Sequence, residues 1–371
     1  MNVLFASSSF PCSQKDWRSV FVRHQLEGLA RLSKVSLAVW APKGQVDQPI
    51  RFCLQGDDER WLAELMEGGG LAHLLRSKPA TGVLKAAILL YRLRRCYREN
   101  ANADLFHINW MQNALSMPRG KTPLVLTALG SDLQLLRLPG MVPMIRRAIK
   151  ARPVTICPNA EWMEAPLLDA FGDLARIQTV PFGIEKCWYE VRRRPDPEPQ
   201  WLVVSRLTKA KLGPLFEWCE PLFKNQRRKL ILIGPMQEQI VLPEWIAYVG
   251  AETPARLCAR WFPTATGLLS LSTHAEGRPQ VMLEAMASGL PLVASDNSAH
   301  RDIIMKASSG RTVVDAQQLA ATLQDLEQPE VNSRMGEQGR HWVSGQLGDW
   351  DACARRYLAV YQDLQERHFR D

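Results

Sequence analysis

Two glutamates, a glycine and a proline carry the first chemical signal in this sequence. Glu276 is followed directly by Gly277, Arg278, Pro279 and Gln280, and seven residues separate Glu276 from Glu284. Apolar segments lie on either side, Gly267 to Leu271 and Leu290 to Ala294, each short enough for a buried strand. Pro279 suits the first helical position, because its missing N–H would have no partner there anyway. Gly289 suits the helix end, where a positive φ costs glycine nothing. The spacing therefore predicts a strand, a turn, a helix and a second strand. N–H groups at a helix start carry partial positive charge, about 0.3–1 kcal/mol per anionic contact. Gly277 lets the backbone come close to a ligand, so residues 277 to 280 suit a diphosphate. Carboxylates repel phosphate, so Glu276 and Glu284 suit hydroxyl donors, such as those of a sugar. Taken singly, each glutamate reads equally well as a capping or solvent-facing acid. The shared turn favours a site.

Other polar groups fall where predicted strands end, which is where ligands bind in parallel α/β sheets. His107 and Asn109 close Asp104 to Trp110, and Gly130, Ser131 and Asp132 close Thr122 to Asp132. Ser205, Arg206 and Lys211 follow the strand Trp201 to Ser205. Gly234 ends Lys229 to Pro235, and Gly183 makes a tight turn after the strand predicted from Thr179.

These groups need two βαβ sheets to position them. Helical and strand periodicities alternate along the chain and restart after residue 200, which predicts an α/β architecture of two Rossmann-like domains. The expected division is a basic domain over residues 1–185, a Pro-rich linker over 186–200, a second domain over 201–347 and a closing helix over 348–371. Residues 43–70 show little regular pattern. A length of 371 residues fits two domains. Residues 1–185 hold 23 Lys/Arg against 16 Asp/Glu, whereas the remainder holds 23 against 22. The excess suits an anionic substrate or membrane surface. Basic and aromatic residues do not interleave and no binding motif is present, so nucleic acid is not expected. Two segments join apolar and basic faces, Val83 to Arg98 (Arg92, Arg94, Arg95, Arg98) and Leu136 to Arg152 (Arg146, Arg147, Lys150, Arg152). Either would suit a membrane interface, and a core helix with a basic last turn is the alternative for the first. The eight cysteines include no C-x-x-C pair. That predicts neither a zinc site nor a disulfide framework, and it suits a reducing cytoplasm. The first residues read as a strand and not as a signal peptide.

The string Glu-Gly-x-Pro-x-x-x-Leu-Glu-Ala-Met-Ala-x-Gly-x-Pro, between two βα domains, resembles the GT-B glycosyltransferases, and most closely their large retaining family four. Phe21 to Ala30 looks like that family's first helix, Thr179 to Glu185 like its crossover segment, and Ser205 to Lys211 like its phosphate-binding pair. Trp350 to Leu364 resembles the helix that packs back on the first domain. The resemblance implies a nucleotide-sugar donor, with Glu284 on the ribose and Glu276 and residues 277–280 at the sugar and diphosphate. Arg206 and Lys211 would neutralise the diphosphate, with no metal and no other cofactor expected. It implies retention of anomeric configuration, with a donor phosphate oxygen as the base.

Two departures stand out. Family members carry His-Gly-Ser-Asp where this chain has Leu129-Gly130-Ser131-Asp132. An apolar Leu129 suits a donor whose C6 is less polar, such as a 6-deoxyhexose, or sugar contact from His107 or His274 instead. The first loop, Ser7 to Ser19, lacks the family's glycines, which alters its acceptor contacts. The expected acceptor is a glycan or lipid-linked saccharide in polysaccharide synthesis at the inner membrane face. Two other readings fit the same plan, a phosphorylase or epimerase, and a catalytically weak sugar-nucleotide-binding module of a synthase complex.

Overall fold

A computed structural model describes residues 1–13, 16, 18–48, 50–274 and 276–370. They form two compact units, Met1–Phe182 with Trp350–Asp371, and Gly183–Asp349. The first holds a seven-stranded sheet in the order β3-β2-β1-β4-β5-β6-β7. Its strands are β1 Asn2–Ala6, β2 Ser36–Trp40, β3 Arg51–Phe52, β4 Leu105–Asn109, β5 Leu124–Ala128, β6 Val154–Pro158 and β7 Arg176–Ile177. The second holds six, in the order β10-β9-β8-β11-β12-β13: β8 Gln200–Val204, β9 Lys229–Ile233, β10 Ile246–Gly250, β11 Gly267–Ser270, β12 Leu292–Ser295 and β13 Gly310–Val313. Neighbouring strands pair in parallel throughout. Helices cover both faces of such sheets, so their central strands are buried at every position, as β4, β5 and β6 are.

The closing helix, Trp350–Arg370, belongs to the first unit. Its Trp350, Tyr357, Val360, Tyr361 and Leu364 pack with Val3, Phe5, Val22 and Leu26 on one face of the sheet. A buried polar chain ties it down. His107 Nδ1 lies 2.5 Å from Tyr361 Oη, and Nε2 lies 2.8 Å from Thr127 Oγ1. Thr127 Oγ1 lies 2.9 Å from Tyr357 Oη.

The structure alters four expectations. Residues 186–200 are no free linker, because Trp188 and Val191 are buried in the second unit's core. Arg193 donates to Gly289 O at 2.9 Å, Ala265 O at 2.8 Å and Asn332 Oδ1 at 2.7 Å. Its prolines still keep residues 191–199 out of helices and strands. Residues 43–70 contain a helix, Asp58–Glu67, whose buried Trp61, Leu62, Leu65 and Met66 have helical spacing. Thr179 to Ile184 forms no strand: β7 ends at Ile177, Val180 N still donates to Pro158 O at 2.9 Å, and Ile184 makes only an isolated bridge to Asp349.

Last, several expected surface arginines are engaged within the protein. Arg92 pairs with Asp57 and Asp58 at 2.7 and 2.6 Å, and Arg95 with Asp58 at 2.7 Å. Arg146 bonds Asp173, and Arg152 donates to Thr122 O at 3.1 Å.

Removing one hydroxyl from the buried chain tests its share in stability. Tyr361→Phe leaves His107 Nδ1 unpaired and should cost about 1–3 kcal/mol in urea unfolding. An unchanged unfolding midpoint would show that the bond contributes nothing net.

Candidate nucleotide-sugar site in the second unit

Two loops at the carboxyl edge of the second sheet build the site. After β8 the chain passes Ser205 and Arg206 and enters a short helix, Lys209–Leu212. Thr208 Oγ1 caps that helix by accepting from Lys211 N at 3.2 Å. After β11 the chain runs through Ser272 to Pro279. The two loops are fastened together by Thr273 N, which donates to Ala210 O at 2.8 Å. Ser295 Oγ, at the end of β12, donates to Ser272 O at 2.6 Å. Gly213, with φ 53°, sits so close to the second loop that a Cβ would lie 2.1 Å from Leu271 O. At Gly234, with φ 144°, a Cβ would lie 1.7 Å from Ser205 O. Only glycine lets these turns close on each other.

This fastening brings Lys211 Nζ onto Glu276 Oε1, the two side chains being 13% and 17% exposed. Burial lowers the Lys211 pKa, the Glu276 carboxylate opposes that, and the Arg206 charge adds to the lowering. Arg206 and Lys211 are therefore within electrostatic reach of each other, and Lys211 lies on Glu276. A small pocket there is lined by Ser205, Lys211, Ser270, Ser272, Glu276 and Pro279. His274 lies in the same loop, its N–H donating to Ser272 Oγ at 3.1 Å.

The helix Gln280–Ala287 starts beside this pocket, with Pro279 at its N-cap, one position earlier than expected, and no side chain capping it. Gly277 is buried in the turn. Gln280 Nε2 donates to Gly183 O at 2.9 Å, which brings those two expected residues together. Gly289 ends the helix with φ 75°. Glu284 lies a turn into the helix. Burial first, then the nearby Glu185 and Cys187, push its carboxyl up to about 8. Hydroxyl donors at that carboxylate would favour its charged form.

Arg278 does not face the pocket as a free cation. Its guanidinium bonds Asp302 at 2.6 Å, the pair being 3% and 5% exposed, and it lies over Trp342. The expected residues of the first unit have their own surroundings within that unit. His107 is fully buried, with its pKa lowered to about 3 by burial. Buried Asn109 donates to Gln25 Oε1 at 3.1 Å. Neither presents a surface to a ligand. Gly130 is buried and Ser131 exposed. Buried Asp132 accepts from Leu129 N at 2.7 Å and Met111 N at 2.9 Å, while burial pushes its carboxyl up to about 7. It acts as a clamp. Of the first loop, residues 14, 15 and 17 lie outside the described residues.

Sequence reasoning missed the surroundings of Glu284. Cys187 and Cys258 share a hydrogen bond there, and Glu185 follows the Gly183 turn. The acid after that turn was the available signal. The cysteines carried none, being 71 positions apart (258 less 187). Among the described residues no three His, Cys, Asp or Glu side chains gather as metal ligands. No described helix is long and apolar enough to cross a membrane.

Two parallel-sheet Rossmann-like units of seven and six strands give the chain the GT-B fold. Residues 190–342 match the family described as Glycosyl transferases group 1. The chain is 23% identical over 350 residues to the putative teichuronic acid biosynthesis glycosyltransferase TuaC of Bacillus subtilis (strain 168), covering 85% of this chain and 88% of that protein. Sucrose-phosphate synthase from Thermosynechococcus elongatus is similar in structure, with a TM-score of 0.71 at 17% identity over 98% of this chain and 99% of that one. Anabaena HepE, solved in complex with UDP-glucose, has a TM-score of 0.65 at 14% identity over 98% of this chain and 100% of that one.

The Glu284 environment has a consequence for stability. A folded chain that keeps this proton up to about 8, against the ordinary 4.5, loses stability as pH rises between those values. Glu284→Gln should remove up to about 1.4 kcal/mol of that decline per pH unit. Urea unfolding across the range checks this, and identical pH profiles for both proteins would refute it.

Proposed function

We propose that the protein is a retaining family four glycosyltransferase. In this reading it moves a sugar from a nucleoside diphosphate to a glycan or lipid-linked saccharide, in bacterial polysaccharide or cell-envelope synthesis. The observation that carries the reading is the Lys211–Glu276 contact, with Arg206 within reach, at an uncapped helix start. As the sugar bond breaks, negative charge grows on the departing diphosphate. Arg206, Lys211 and the helix-start N–H groups stabilise that charge and need not reorganise to do so. In the resting site Glu276 holds the Lys211 ammonium in place. With donor bound, the diphosphate shares that cation and Glu276 turns to the sugar hydroxyls. Glu284 accepts from the ribose hydroxyls, and Gln280 is oriented by Gly183. The reaction uses these cations in the role a metal would otherwise fill. Attack comes from the face the diphosphate leaves, with a donor phosphate oxygen taking the acceptor's proton. UDP-glucose in HepE and teichuronic acid biosynthesis in the name of TuaC support this class of donor and acceptor.

The same reading places the protein in the cytoplasm, at the inner face of the membrane. The surface that supports it is narrower than the sequence suggested. On the helix Pro79–Glu99, Val83, Leu84 and Tyr91 are 63%, 61% and 69% exposed. Exposed Arg94 and Arg98 continue the stripe at helical spacing, whereas Arg92 and Arg95 are neutralised by Asp57 and Asp58.

Stabilisation by a panel of nucleoside diphosphates, then of nucleotide sugars, identifies the donor, because binding raises the melting temperature with ln(1 + [L]/Kd). With that donor, Lys211→Ala should lower kcat about 10²–10³-fold and also abolish slow donor hydrolysis. A binding module would show no hydrolysis for the substitution to remove, and phosphate-dependent turnover without a glycan would indicate a phosphorylase. The membrane face is checked by sedimentation with anionic vesicles at low salt. Retention should be lost on replacing Leu84, Tyr91, Arg94 and Arg98 together. Failure of the unaltered protein to sediment would mean a soluble acceptor.

A further inference from the structure

Two aromatic rings lie together at the carboxyl edge of the first sheet. Trp110 follows β4 directly, and Phe21 lies in the first turn of the helix Val20–Ala30, which leads from β1 to β2. Their rings meet edge to face with centroids 5.9 Å apart, and Phe21 stacks on Phe182 at 5.1 Å. Leu129 follows β5 and joins the same apolar cluster. Phe21, Trp110 and Leu129 are each only half-buried, so part of each surface remains open. Since β1, β4 and β5 are neighbours in the sheet, the three side chains share one edge. That is the edge where ligands bind in open parallel sheets.

The backbone is strained at this place. Trp110 has φ 64° and ψ 120°, a conformation natural only to glycine. Ser19, two residues before Phe21, has φ 51°. Two of the four described non-glycine residues with positive φ therefore hold this aromatic pair. The Asp132 carboxylate accepts from Leu129 N at 2.7 Å and Met111 N at 2.9 Å, so one group fixes the turns that carry Leu129 and Trp110. Burying a tryptophan requires no such conformation. Strain of this kind persists where the surroundings enforce it, and it concentrates at ligand sites.

We propose that Trp110, with Phe21 and Leu129 beside it, forms a platform for the apolar face of a saccharide. One face of a pyranose ring presents mainly C–H bonds, which stack on an indole, while the ring hydroxyls point outward to water and to exposed Ser131. Leu129 offers no hydrogen bond, so a 6-deoxy methyl group fits beside it, whereas a hydroxymethyl would lose a partner. The platform rests on the glycosyltransferase reading, and the sugar belongs either to the donor or to the acceptor.

Saturation-transfer NMR on the full chain tests this, with methyl 6-deoxy-α-glucopyranoside and methyl α-glucopyranoside as probes. The expected result is transfer to the ring C–H and methyl protons of the deoxy glycoside. Trp110→Gly, which suits the strained backbone, should weaken binding about tenfold, equivalent to about 1.4 kcal/mol. Trp110→Phe should restore most of it. Added UDP-glucose distinguishes the sources: displacement of the glycoside assigns the platform to the donor sugar, and its retention assigns it to the acceptor. Equal transfer in Trp110→Gly, or no transfer in the unaltered protein, overturns the platform. Thermal shifts with nucleoside diphosphates in the same samples keep the two ideas apart. Nucleotide binding without glycoside contact leaves the enzyme reading standing, whereas absence of both removes it.

Discussion

The Lys211 ammonium and the Glu276 carboxylate meet because two loops are fastened by backbone atoms, and the chemistry of the second unit depends on that fastening. Thr273 donates to Ala210, Ser295 holds Ser272, and glycines at 213 and 234 let the turns approach within distances that no Cβ would permit. Neither side chain would hold this geometry by itself. A lysine carries about 2 kcal/mol of rotamer freedom, and an exposed ion pair contributes little. Partial burial alters that balance. It removes competing water, so the pair is held tightly, and it leaves the lysine short of compensation, as its lowered pKa shows. A site in that condition favours a second anion.

Around the same helix, burial does different work at each acid. Glu276 is compensated by Lys211. Glu284 faces Glu185 and Cys187 and has its proton affinity raised. One glutamate therefore suits fixing a cation, and the other suits accepting hydrogen bonds from neutral hydroxyls. Arg278, between them in sequence, is turned away onto Asp302 and belongs to the scaffold. Alternation of side chains around a tight turn separates groups that are adjacent in the chain.

The first unit manages its polar groups by burial of another kind. His107, Thr127, Tyr357 and Tyr361 satisfy one another within the core, joining the closing helix to a sheet built more than 200 residues earlier. Asp132 gives both its carboxylate oxygens to backbone N–H groups. His107, Asn109 and Asp132 are thus consumed in holding the edge, and the surface left open there includes Phe21, Trp110 and Leu129 beside exposed Ser131.

Much of this was legible in the sequence. Two parallel α/β units, the helix after Glu276, its glycine end and the cations after β8 follow from periodicity and turn chemistry, which are properties of neighbouring residues. The sequence even limited Leu129 to an apolar role. It did not distinguish a histidine that faces a ligand from one buried beneath a helix, nor an arginine on the surface from one paired with an aspartate 34 positions away, as Arg92 is with Asp58. Nor did it disclose the helix Asp58–Glu67, the packing of residues 186–200, or the aromatic pair at Phe21 and Trp110. Those depend on which distant segments come together and on how much water they exclude. Local pattern fixes the conformation each segment prefers, but a charge or ring acquires its role from its neighbours in space, and only the folded chain chooses them.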